Sequence, residues 1–165
     1  MRHLYSCPLR WSDMDAFGHV NNAVFVRYLE EARIDFMRRL APGGGSASFK
    51  GGSVVARHEI DYLRQLVHRP EPVTVELWVA KISAASMTVG YEVKDEDAVY
   101  LRASTVVVPF DFAAGRPRRL TAEEKAILKE YLDDAAHEDG AVRRGGAVEA
   151  AGRGRAGQQE GAVAR

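Results

Sequence analysis

Hydrophobic positions change period along this chain. Over residues 22–40 they recur at helical spacing. Phe25, Tyr28, Leu29, Ala32 and Phe36 fall at i, i+3, i+4, i+7 and i+11, which is one face of a helix. Arg27, Glu30, Glu31, Asp35 and Arg38 line the other side, and Asn21 or Asn22 can serve as N-cap. Val24, Val26 and Ile34 widen the apolar surface. That breadth predicts a helix wrapped by a sheet rather than one lying on it. Pro42-Gly43-Gly44-Gly45 ends the helix in a loop that runs to Gly52.

Beyond the loop the period falls to two. Strands are predicted over 54–66, 73–82, 87–93 and 99–107, each alternating apolar and polar side chains. Asp95-Glu96-Asp97 forms a hairpin turn between the last two. Residues 3–11 read as a first strand, in which Pro8 marks an edge or a bulge. Thr121-Ala122-Glu123-Glu124 is a capping box that starts a short helix, with Ile127, Leu128, Tyr131 and Leu132 on its apolar side. The predicted class is α+β: a strand, a long helix, four antiparallel strands and a small helix. One helix leaves the second face of such a sheet bare, so self-association through an edge strand or a face is expected.

Apolar residues thin out after residue 134. Between 135 and 165 the only larger aliphatic side chains are Val142, Val148 and Val163. Such a segment cannot offset its ordering entropy by burial, and a disordered Gly/Ala/Arg-rich tail is expected after a single domain at 1–134. The 165 residues carry 23 basic and 23 acidic side chains. This balance gives no field to draw nucleic acid or an anionic membrane. No apolar run is long enough to cross a bilayer, and the N-terminus lacks a signal-peptide pattern. The lone Cys7 cannot form an internal disulfide and reads as a buried bystander. A cytoplasmic protein is expected.

Candidate chemistry concentrates in residues 13–22. Asp13 and Asp15 precede Gly18, His19 and Asn22 where the long helix begins. Unpaired N–H groups and the positive dipole end at a helix N-terminus can stabilise an oxyanion. A nearby carboxylate can activate water or attack a carbonyl itself. On spacing alone, the same residues also read as a plain cap and a Gly-His turn. A metal site from Asp13, Asp15 and His19 would lack a fourth ligand.

The run Trp11-Ser12-Asp13-Met14-Asp15-Ala16-Phe17-Gly18-His19-Val20-Asn21-Asn22, with Tyr28-Leu29-Glu30-Glu31-Ala32-Arg33 after it, resembles the 4-hydroxybenzoyl-CoA thioesterase family of hotdog-fold proteins. The resemblance covers residues 3–133. It implies a curved antiparallel sheet around a long central helix, hydrolysis of an acyl-CoA to CoA and a carboxylic acid, and no cofactor. It makes Asp15, the second aspartate of the pair, the catalytic carboxylate, as nucleophile or general base. It also implies a homodimer or homotetramer whose site lies between subunits, with His58 on a strand along the neighbouring subunit's acyl site. Gly18 would admit the substrate closely, Asn22 would lie against it, and His19 would orient water, bind the carbonyl or cap the turn. Asp13 is expected to hold the loop. Arg116, Arg118 and Arg119 are candidates for the CoA phosphates.

Some relatives carry a Tyr-His or Trp-Tyr pair after the glycine. This chain has His19-Val20-Asn21 there, so an aromatic acyl group is not implied. Another hotdog branch uses a glutamate of the central helix, for which Glu30 and Glu31 are candidates. Two other activities compete: a dehydratase or hydratase acting on acyl thioesters, and a non-catalytic acyl-CoA binding module.

Overall fold

The structure, a computed structural model, describes residues 1–40 and 52–133. Its elements are β1 (His3–Cys7), α1 (Asn22–Arg39), β2 (Ser53–Tyr62), β3 (Val73–Ile82), β4 (Met87–Lys94), β5 (Val99–Asp111), β6 (Arg116–Pro117) and α2 (Ala122–Glu130). Five strands pair antiparallel in the order β1-β3-β4-β5-β2, and the two-residue β6 pairs with the end of β5. The expected sequence of elements is present. The 41–51 loop and the expected tail at 135–165 lie outside the described residues.

The inner face follows the period-two pattern. Rows such as Val75–Val93–Leu101 and Leu77–Tyr91–Ala103 run across three strands. Phe25, Leu29, Ala32 and Phe36 of α1 join the inner side chains in one buried cluster. Asn21 is the N-cap, its side-chain oxygen accepting from the Ala23 N–H at 2.9 Å. The expected breadth of the helix's apolar face is corrected at Ile34, which is 40% exposed, whereas Arg33 is buried. Position 33 is four residues after Leu29 and three before Phe36, so it falls on the apolar stripe. Ile34 is turned off it.

The first strand is shorter than the expected 3–11. It stops at Cys7, ahead of Pro8, which has no N–H to continue the ladder. A 3-10 turn over Trp11–Asp13 follows instead. β1 does lie at a sheet edge.

The outer face is polar rather than bare. Arg2 ion-pairs with Glu76 at 3.4 Å and lies 4.3 Å over the Trp78 ring, while Arg102 bonds Glu92 at 2.9 Å. Lys94 joins Glu76 and Glu92. Trp78 packs across Gly90, its partner in register; a Cβ there would come within 2.5 Å of the indole. Gly90→Ala is therefore expected to lower unfolding stability by about 1–3 kcal/mol in denaturant titration. A register shift between Val79 and Lys81 opens β3 locally. The chain after α2 uses that opening: Val79 donates to the Tyr131 carbonyl at 2.9 Å and accepts from Asp133 N–H at 3.0 Å.

Candidate active site

The two aspartates do opposite things. Asp13 is buried, and one oxygen, Oδ2, accepts from Arg10 N–H at 2.9 Å and from the Tyr28 hydroxyl at 2.6 Å. Its carbonyl accepts from Asn21 N–H at 2.9 Å. Asp13 thus ties the loop entrance, the helix cap and the helix body together. Burial, and then the Asp13 carboxylate, push the Tyr28 phenol far above its ordinary range, so Tyr28 stays a donor.

Asp15 is only half-buried. Its N–H donates to His19 C=O at 2.8 Å, and its C=O accepts from Gly18 N–H at 3.1 Å. Its Oδ1 accepts from Phe17 N–H at 2.9 Å and His19 N–H at 3.4 Å. Among the described residues these bonds engage Oδ1 alone, leaving Oδ2 open. Gly18 closes the turn at φ +79°, and a Cβ added there would meet nothing within 4 Å, so conformation rather than space demands glycine. A bridge from Met14 to Val20 and the bond from Val20 N–H to Leu66 C=O at 2.8 Å anchor the base of the loop. The result is a fixed carboxylate seven residues ahead of the first residue of α1.

Asn22 begins α1 as an exposed residue, and its carbonyl accepts from the Tyr62 hydroxyl at 3.0 Å. That bond joins the helix start to the end of β2. His58, further back on β2, lies in a different cluster. Its Nδ1 is 2.8 Å from Thr105 Oγ1, and burial lowers its pKa, with the nearby Arg33 charge adding to the effect and Glu30 opposing it. The hydrogen bonds therefore gather Asp15, Gly18 and His19 in one turn and place His58 with Thr105.

The three candidate arginines separate. Arg118 makes two bonds to the buried Glu124, at 2.9 and 2.7 Å. Arg116 and Arg119 are exposed. Cys7 is buried, and burial, with the Asp13 charge second, pushes its thiol up to about 12, which disfavours the thiolate. Among the described residues no group of three or more His, Cys, Asp or Glu could hold a metal ion, and no helix is long and apolar enough to cross a membrane.

Arg33, Tyr91 and Thr105 escape a reading by motif. Arg33 carried one signal in the sequence, its place on the apolar stripe of α1. Tyr91 and Thr105 carried none, because both fit an ordinary inward-facing strand pattern.

The profile of the thioesterase-like superfamily matches residues 9–130. The uncharacterized protein YsmA of Bacillus subtilis (strain 168) is 30% identical over 121 residues, which is 73% of this chain and 80% of that protein. A predicted thioesterase from Bacillus stearothermophilus superposes with a TM-score of 0.73 at 25% identity, covering 81% of this chain and 98% of that one. A thioesterase from Thermus thermophilus, complexed with coenzyme A and Zn, superposes at 0.67 with 30% identity, covering 78% and 92%. The class is that of thioester hydrolases with a hotdog-type antiparallel sheet. Within it, the chain belongs to the thioesterase-like superfamily.

Proposed function

We propose that this protein hydrolyses acyl-CoA thioesters to CoA and a carboxylic acid, with Asp15 as the reacting carboxylate. The observation that carries the reading is the Asp15 turn. One oxygen is fixed by two backbone N–H groups and the other is left open, in a turn seven residues ahead of the start of α1. A carboxylate held this way can deprotonate water or attack the thioester carbon, and helix N–H groups can take the developing oxyanion. The coenzyme A in the Thermus relative supports a CoA ester as substrate. The motif from Asp13 to Asn22 favours the 4-hydroxybenzoyl-CoA thioesterase branch, with the sheet curved around α1. Gly18, His19 and Asn22 line the carbonyl end, and His58 the acyl group. With Arg118 committed to Glu124, Arg116 and Arg119 remain for the CoA phosphates. Cys7, buried and alone, suits the cytoplasm.

The site is proposed to be completed in a homodimer, or a homotetramer made of two such dimers, built on β2. That strand ends the sheet, and Val55 and Tyr62 on it are 39% and 49% exposed. An unprotected edge of this kind invites pairing with a second copy. Light scattering should return at least twice the chain mass of 18.2 kDa; a monomer would remove the shared site.

The test of the activity is thiol release from short, long and aromatic acyl-CoAs, run beside the ultraviolet change of an enoyl-CoA. Release of CoA without enoyl hydration is expected. Enoyl hydration alone would make the protein a hydratase, and tight binding without either reaction would make it a carrier.

A further inference from the structure

Arg33 is 9% exposed, yet its positive charge is poorly matched. Its one ion pair among the described residues is with Glu30, at 3.8 Å, and that carboxylate is 57% exposed. Nη1 of Arg33 and the hydroxyl of Tyr91 are buried and make no well-formed hydrogen bond among the described residues, with Arg33 and Thr105 the polar groups within reach of that hydroxyl. A guanidinium cannot shed its proton to escape burial. The phenol oxygen of Tyr91 can accept from one guanidinium N–H, but it brings no negative charge, and a buried cation without a close anion is costly.

These groups face one another. The Tyr91 hydroxyl is within hydrogen-bonding reach of Arg33 and Thr105, and Thr105 Oγ1 is 2.8 Å from His58 Nδ1, which lies within the field of the Arg33 charge. His58 uses Nδ1 on Thr105, which leaves Nε2 as a further polar atom. Arg33 comes from α1, Tyr91 from β4, Thr105 from β5 and His58 from β2. Four elements thus converge on one polar point inside an otherwise apolar face.

Its distance from the reacting end can be gauged twice. Arg33 is eleven residues beyond Asn22, about 16 Å along a helix axis. His58 is four residues before Tyr62, whose hydroxyl meets the Asn22 carbonyl, and four strand residues span about 13 Å. Between them on the same side of β2 lies the half-buried Ile60, packed against the core. The apolar Ile60 thus stands between the helix start and the cluster of Arg33, Tyr91 and His58.

We infer that the acyl group carries an apolar stem and a second, distal carboxylate, received by Arg33 and Tyr91 with His58 beside them. This inference rests on the acyl-CoA reading above and narrows it to dicarboxylic monothioesters. A carboxylate matches the guanidinium in charge and can accept from the phenol at the same time.

The experiment compares kcat/KM for suberoyl-CoA and octanoyl-CoA, and for sebacoyl-CoA and decanoyl-CoA, in wild type, Arg33→Met, Arg33→Lys and Tyr91→Phe. Wild type is expected to favour the dicarboxylic member by about 10- to 100-fold, the worth of a hydrogen bond to a charged group. Arg33→Met should bring that ratio to about one, and Arg33→Lys should leave an intermediate ratio because the fork geometry is lost. Tyr91→Phe, the milder change, reads the same ratio if Arg33→Met does not fold. Titration of free suberate against free octanoate into wild type tests the subsite without any turnover, so failure of hydrolysis and failure of the subsite are separable. Equal wild-type rates for paired esters with no binding of suberate would overturn the inference. So would an Arg33→Met variant that slows both esters alike, or one that turns a dimer into monomers. The last result would mean that an acid of a second copy fills the site.

Discussion

Asp15→Asn is expected to lower kcat for acyl-CoA hydrolysis by about 10²–10⁴-fold, the usual worth of a positioned general base, without moving the thermal unfolding curve. The asparagine carbonyl can still accept from Phe17 N–H and His19 N–H, the two bonds that Oδ1 makes in the turn. What disappears is the negative oxygen, and with it both nucleophilic and basic chemistry. Asp13→Asn should give the reverse pattern. Asp13 is buried and holds Arg10 N–H and the Tyr28 hydroxyl through one oxygen. Weakening those bonds should cost about 1–3 kcal/mol of stability while the folded fraction keeps turning over. Thiol release and thermal denaturation, measured on both variants, separate the roles. Near-normal turnover in Asp15→Asn would sink the assignment.

The contrast between the two aspartates marks how far the sequence could be read. Period and capping rules located α1 and the four long strands, because each buries one face and alternation is fixed by the pleat. The resemblance, not the spacing, preferred Asp15 to Asp13. In the structure Asp13 bonds Tyr28 in the interior, and Asp15 bonds its own turn. Long-range pairings were beyond reach. Nothing in a motif says that Arg118 turns back to Glu124, or that Arg33 meets Tyr91, since both depend on which elements meet in space. The capping box was legible because it is local. That its glutamate also receives an arginine was not. Nor could alternation distinguish an inward residue that fills space, such as Val89, from one that presents a hydroxyl, such as Thr105.

Arg118→Ala is expected to destabilise the protein by about 3 kcal/mol at neutral pH, because it strands a buried carboxylate. The Glu124 side chain is only 2% exposed and Arg118 is 21% exposed. Burial by itself would raise the pKa of Glu124. The Arg118 bonds and the backbone N–H of Thr121 outweigh it and hold the acid below its ordinary value. A carboxyl depressed in the folded state contributes stability above its unfolded pKa, about 4.3, and that contribution is lost as pH falls through the folded value. Without Arg118, burial becomes the dominant influence and the sign reverses: the folded variant then prefers the protonated acid. The stability gap between wild type and Arg118→Ala should therefore shrink as the pH is lowered from 7 toward 4. Adding Glu124→Gln to Arg118→Ala should recover part of the loss at pH 7, since glutamine can keep the cap to Thr121 without a buried charge. Denaturant unfolding across that pH range checks each step, and a gap independent of pH would reject the buried-charge account. The same variant also bears on the CoA subsite. With its guanidinium spent on Glu124, Arg118→Ala should leave KM for the CoA ester almost unchanged in the folded protein, whereas Arg116→Ala and Arg119→Ala should raise it.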